Sequence, residues 1–160
     1  MTAGPKRRLR VLRGYDGPPG GHAVVITLFR VFGRMSDAMS RVMKSHGLTL
    51  PHFEVLMCLK AGEGISQQDV SNRLLVTKGN ICVIVQKLES AGLIDRRSDP
   101  NDQRFHRLYL TDGGRRVIAN ILPDQNALVV KLLGGLSQAE QKTLHELLGR
   151  IDQAFDDMEL

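Results

Sequence analysis

Between Ile65 and Gly92 the sequence "ISQQDVSNRLLVTKGNICVIVQKLESAG" carries two helix starts, Ser66 and Thr77, and no room for a long helix after either. Ser66 and Asp69 stand at capping-box separation, although the box prefers Glu or Gln at its last place. Thr77 opens a second run with apolar residues at helical spacing, which ends at Gly92, a residue suited to the left-handed backbone of a helix C-terminus. The outcome is two short helices joined by a tight turn at Leu74 to Val76. That is what a helix-turn-helix needs: an anchoring helix, a short connection and a second helix presented outward.

Beyond Gly92, "LIDRRS" and "FHRLYL" alternate partly between apolar and polar, and "DPNDQ" between them supplies turn residues. This pattern predicts a β-hairpin. Its charges are more than a solvated turn requires, because Arg96, Arg97, Arg104 and Arg107 surround Asp99 and Asp102. An anionic partner is the expectation.

The flanking segments read as longer helices. Val24, Leu28, Val31, Met35, Met39 and Val42 recur at three- and four-residue steps over residues 22–46, the period of an amphipathic helix. Gly47 stops it. Thr49 is the expected N-cap of a second helix, with Pro51 in its first turn and Phe53, Leu56 and Leu59 facing inward up to about Ala61. After the hairpin, Thr111 caps a helix to about Leu133, which Pro123 should kink. Ser137 and Glu140 form a full capping box for the last helix, whose apolar face is Leu144, Leu147, Leu148, Ile151 and Phe155. Residues 1–21, rich in Gly and Pro, read as a flexible arm.

Charge narrows the partners. The chain of 160 residues has a formal charge of +5, and Lys6, Arg7, Arg8, Arg10 and Arg13 against Asp16 place most of it in the arm. Such a balance favours nucleic acid. The stretch from Ser137 reverses sign with Glu140, Glu146, Asp152, Asp156, Asp157 and Glu159, a poor surface for a polyanion. No apolar run approaches the roughly 20 residues of a membrane span, no signal-type segment follows Arg13, and Cys58 and Cys82 lie in different segments. A soluble protein of the reducing cytoplasm is expected. A phosphate loop, a nucleophile elbow, a paired-histidine helix motif and a Cys-x-x-Cys pair are all missing from the sequence, and His22, His46, His52, His106 and His145 lack zinc spacing. No catalytic residue, metal or cofactor is assigned.

The order of four helices, hairpin and two helices, with "LTLPHFEVL", "ISQQDVSNRL", "VTKGNI", "KLESAGLIDRRSDPNDQR" and "LYLTDGGRR" in sequence, resembles the MarR family of bacterial multiple-antibiotic-resistance regulators over about residues 22–156. The resemblance implies a mainly α fold with a small β-hairpin wing, a winged helix-turn-helix acting as a homodimer on double-stranded DNA. It assigns residues 22–48 and 112–160 to dimerisation and 49–111 to the DNA-binding lobe. It also implies a ligand cleft for a small aromatic or acidic effector, near which His46 and His52 are candidate ligand-binding residues beside plainer surface or capping roles.

The residues themselves agree with a DNA reader. Thr77, Lys78, Gly79 and Asn80 open the recognition helix where side chains meet base edges and phosphates, and Gln86 and Lys87 follow further along. Arg104 matches the family's wing-tip arginine, which enters the minor groove, and Asp102 two residues earlier can hold its guanidinium. Arg96, Arg97 and Arg107 are phosphate candidates. The sequence departs from the family at "CVIV", residues 82–85, where a Thr and an Arg often face outward; for Val83 and Ile84 a thymine-methyl contact and inward packing both stand. The expected function is a ligand-responsive repressor on a pseudo-palindromic operator, with recognition helices about 34 Å apart. Cysteine-based redox response, a winged helix binding another protein, and an activating or nucleoid-binding role are the alternatives.

Overall fold

Val55, Leu56 and Leu59 turn one face of a twelve-residue helix, Leu50–Ala61, into the interior, and the neighbouring elements collect around it. The computed structural model describes residues 20–74, 78–99 and 106–158, and for Lys78 the backbone alone. In chain order its elements are α1 (Gly21–Ser45), α2 (Leu50–Ala61), β1 (Ile65–Ser66), α3 (Gln67–Leu74), α4 (Lys78–Ser90), β2 (Ile94–Ser98), β3 (His106–Leu110), α5 (Asp112–Leu133) and α6 (Gln138–Asp156). The arm at residues 1–19, the turn at 75–77 and the hairpin tip at 100–105 lie outside the described residues. The chain divides into two compact units at Asp124 and Gln125.

In the first unit, Val55, Leu56 and Leu59 of α2 pack with Val70 of α3, Ile81, Val85 and Leu88 of α4, Ile94 of β2, Leu108 and Leu110 of β3, and Ile118 of α5. A smaller cluster joins Met43, Phe53 and Ile121. The hairpin forms as expected, Ile94 opposite Leu110 and Ser98 opposite His106. The sequence reading missed β1, whose Ile65 pairs with Leu108, so β3 is the centre of a three-stranded antiparallel sheet ordered β1-β3-β2. Two residues are too few to show alternation.

The caps expected at Ser66, Thr49 and Thr111 hold with one addition, while Thr77 lies outside the described residues. Asp69 accepts from the Ser66 backbone N–H (2.8 Å) and hydroxyl (2.7 Å), while the Asp69 N–H donates back to Ser66 Oγ (3.1 Å). Thr49 Oγ1 accepts from the His52 N–H, and the Thr49 N–H donates to His52 Nδ1, both at 3.4 Å, so His52 completes a capping box. Gly92 has φ 67°, the left-handed turn expected of it. Thr111 caps α5 by accepting from the Gly114 N–H at 3.0 Å. The helix continues through Pro123, so the proline costs α5 one hydrogen bond and not its continuity.

Of α1, only Met43 is buried; Val24, Val31 and Met35 of the expected apolar face are exposed, with Val25, Phe29 and Phe32. In the second unit, the α6 box closes through Ser137 and Glu140, and the Gln141 side chain donates to the carbonyls of Leu133 (3.3 Å) and Leu136 (3.0 Å), tying off the preceding turn. The apolar stripe of α6, Leu144, Leu147, Leu148, Ile151 and Phe155, is exposed throughout. No helix among the described residues is long and apolar enough to cross a membrane.

Candidate nucleic-acid interface

The rotation of α4 is set by its buried side. Ile81, Val85 and Leu88 recur at four- and three-residue steps and are buried, and Ile84 packs partly against them. The opposite stripe then consists of Gly79, Val83 and Gln86, all exposed, flanked by exposed Asn80, Cys82 and Lys87. Of the two residues left open by the sequence, Ile84 turns in and Val83 turns out. The Cys82 thiol lies 3.6 Å from Gln67 Oε1, linking the recognition helix to the start of α3. Cys58 is half-buried against the core, as its apolar surroundings suggest. Thr77 and the side chain of Lys78 fall outside the described residues.

The wing separates its arginines by role. Arg97 and Arg107 are directly opposed across β2 and β3, where like charges repel. Each is drawn to its own acid. Arg97 Nη2 lies 3.3 Å from Asp95 Oδ2, with its guanidinium 4.4 Å from the centre of the Tyr109 ring. Arg107 Nε donates to Asp99 Oδ2 at 2.6 Å and Nη1 donates to the Gly64 carbonyl at 2.8 Å. With the Asp99 side chain 10% exposed, this arginine pins the wing to the turn before β1. Arg107, expected at a phosphate, is thus tied to Asp99 and the Gly64 carbonyl with its side chain still 40% exposed, while Arg96 lies 3.6 Å from Glu89 with its side chain 32% exposed. Asp102 and Arg104 lie outside the described residues.

Two contributors were not foreseen. Glu63 Oε1 pairs with Arg115 Nη2 at 2.6 Å and accepts from the Leu110 N–H at 3.3 Å, tying the turn after α2 to β3 and α5. Asp99 carries the wing's inner ion pair. Both are acids in polar loops, and only their three-dimensional partners distinguish them from solvated charges.

The candidate ligand-binding histidines each have a partner within the chain. His46 Nε2 lies 2.8 Å from Asp124 Oδ2. His52 is held in the Thr49 box, and burial, then the nearby Lys87 charge, lowers its pKa below the ordinary 6.5. That favours the neutral ring whose Nδ1 accepts. Burial likewise raises the Glu54 carboxyl. No group of three His, Cys, Asp or Glu suited to a metal occurs among the described residues.

A family model described as "MarR family" matches residues 46–104, which span α2 to the hairpin tip. The chain is 34% identical over 127 residues to an uncharacterized HTH-type transcriptional regulator, YkoM, of Bacillus subtilis, covering 77% of this chain and 82% of that protein. It is 28% identical to the transcriptional repressor MprA of Escherichia coli, covering 79% and 73%. The fold is similar to that of the PcaV transcriptional regulator from Streptomyces coelicolor, solved in complex with its natural ligand, with TM-score 0.66 and 28% identity over 78% of this chain and 91% of that one. With a helix-turn-helix whose outward stripe is set by its core and a basic hairpin beside it, the chain belongs to the MarR family of DNA-binding transcriptional regulators, which are not enzymes.

Proposed function

We propose that the protein is a ligand-responsive homodimeric repressor that covers a pseudo-palindromic operator. The observation that carries this reading is the apolar surface on the terminal helices. Val24, Val25, Phe29, Phe32 and Met35 of α1 face water, Phe32 at 65% exposure, as do Leu144, Leu147, Leu148, Ile151 and Phe155 of α6. Exposed apolar surface of this kind on each helix marks an interaction site, and a second copy of the chain covers it by two-fold pairing. Residues 22–48 and 112–160 then serve dimerisation, and 49–111 serve DNA.

In this reading Gly79, Asn80, Gln86 and Lys87 face the major groove with Thr77 and Lys78, whose roles rest on sequence alone. Arg96 and Arg97 meet phosphates. Arg104 enters the minor groove with Asp102 orienting it, again on sequence alone, and Arg107 acts through the shape of the wing. The basic residues 1–21 add charge to the same footprint. Repression is supported by the name of MprA, and response to a small aromatic or acidic effector by the liganded PcaV. The effector acts only through its differential affinity for two dimer geometries, one of which no longer matches the operator. Such a regulator works in the cytoplasm, beside the DNA.

The test is binding to the protein's own upstream DNA and to random DNA across a salt series, with sedimentation to give the assembly state. A dimer that prefers the upstream palindrome, and that Arg104→Ala weakens by roughly 1 to 3 kcal/mol, sustains the reading. A monomer, or equal and steeply salt-dependent binding to both DNAs, overturns it.

A further inference from the structure

The outward stripe of α4 departs from a solvated helix face at two positions. Val83 is 52% exposed on a helix whose other branched residues turn toward the core. Gly79 stands one turn before it on the same stripe. A Cβ at Gly79 would meet nothing within 4 Å, and its φ is not among the positive ones, so neither packing nor backbone conformation within the described residues calls for glycine. Gly79 is the second residue of α4, where alanine would serve the helix at least as well. An exposed valine and a needless glycine, aligned one turn apart, fit a surface shaped for something that approaches closely from outside.

We propose that Gly79 and Val83 form an apolar notch that reads a thymine: Gly79 lets the helix settle into the major groove, and Val83 packs on the thymine C5 methyl. The inference rests on the DNA-binding reading above and names the base that this surface prefers. Valine has no donor or acceptor, so among the features of the four base pairs in the major groove the methyl is the one it can favour. Its two methyl groups reach little beyond Cβ, so contact requires a close approach, and a side chain at residue 79 would hold the helix off. Exposed Asn80 and Gln86 flank the notch with hydrogen-bonding groups for adjacent base edges, and Lys87 supplies charge for a phosphate.

The experiment uses the full chain to select its preferred duplex from a random pool, then replaces each selected thymine singly by deoxyuridine, which removes only the methyl. One thymine per half-site should respond, with binding weakened about fourfold, the value of one buried methyl. Val83→Ala should lose a similar factor and become indifferent to that replacement. Gly79→Ala should melt at or above the temperature of the unsubstituted protein, yet bind the selected duplex more weakly. Uniform tolerance of deoxyuridine, or a thymine preference that survives Val83→Ala, overturns the notch while leaving DNA binding intact. A folded protein that enriches no duplex overturns the DNA-binding reading, and the notch with it.

Discussion

Gly114→Ala tests how tightly the start of α5 is docked on the wing. Gly114 is buried at the third residue of α5, and a Cβ there would overlap the backbone carbonyl oxygen of Leu93 and come within 3.3 Å of Leu110 Cδ2. The obstacle is backbone that cannot easily retreat. The Leu93 N–H is bonded to the Leu88 carbonyl (2.9 Å), the Leu93 carbonyl accepts from the Thr111 N–H (3.2 Å), and the next residue, Ile94, opens β2 opposite Leu110. Overpacking of this kind costs about 1 to 3 kcal/mol, and a lost Thr111–Leu93 hydrogen bond about 1 more. Alanine's helix preference returns only about 0.5 to 1 kcal/mol. The net is a loss of roughly 1 to 3.5 kcal/mol, or about 2 to 14 °C in Tm for a chain of this size. Melting followed by circular dichroism at one fixed protein concentration measures it. Gly149→Ala in α6, where a Cβ meets nothing within 4 Å, is the control and should raise Tm slightly. If Gly114→Ala melts with or above the unsubstituted protein, the close approach of α5 to Leu93 is wrong.

Protonation of His52 would turn the acceptor of its capping box into a donor. Its folded pKa lies below the ordinary 6.5, so its contribution is complete above about pH 6.5 and is lost as pH falls through the folded value. Urea midpoints between pH 8 and pH 5, values chosen to bracket that window on the scale of about 6.5 for histidine, should fall, and His52→Gln should flatten the fall; an unchanged slope would contradict the lowering of the His52 pKa by burial and Lys87. The Asp69 carboxyl is held below its ordinary 3.8 first by the Ser66 hydroxyl and then by the Ser66 N–H, so its contribution is present above that value and lost as pH falls through the lower folded one. Asp69→Asn should therefore remove part of the acid sensitivity of α3 below about pH 4, where carboxylates protonate, and hydrogen exchange at Val70 and Ser71 would show whether it does. Arg107→Gln should destabilise the wing by about 1 to 3 kcal/mol through the weakened Asp99 pair, with the partly exposed arginine favouring the lower end; a midpoint equal to the unsubstituted protein's would remove its scaffolding role. Lys87→Gln and Arg97→Gln should each lower the salt slope of DNA binding by about 1, and a slope unchanged by either would take that residue off the phosphate footprint.

Much of the architecture was legible because local chemistry punctuates this chain. The Thr49, Ser66, Thr111 and Ser137 caps, the Gly92 stop and the charged hairpin each act over a few residues, and the elements begin and end at them. The outward face of α4 was partly legible for the same reason: the spacing of Ile81, Val85 and Leu88 fixes the rotation of the helix, and with it which polar residues look out. Periodicity marked the stripes of α1 and α6 as apolar, but it could not tell a stripe buried in its own chain from one left exposed, since both repeat every three or four residues.

Tertiary structure decided what long-range partners control. Strand β1 exists because Ile65 and Ser66 meet β3, with Ile65 paired to Leu108, 43 residues further along the chain. Val83 turns out and Ile84 in because α2 and α3 occupy one side of α4. The wing arginines look alike in the sequence, yet Arg107 is bound by Asp99 and the Gly64 carbonyl while Arg97 rests on Tyr109. Caps and helical periods are set by neighbours within a turn or two, so the sequence alone determined the helices, the hairpin and their order, but not β1. Which partner each wing arginine takes depends on groups that meet only when the sheet closes, and that was decided by the fold.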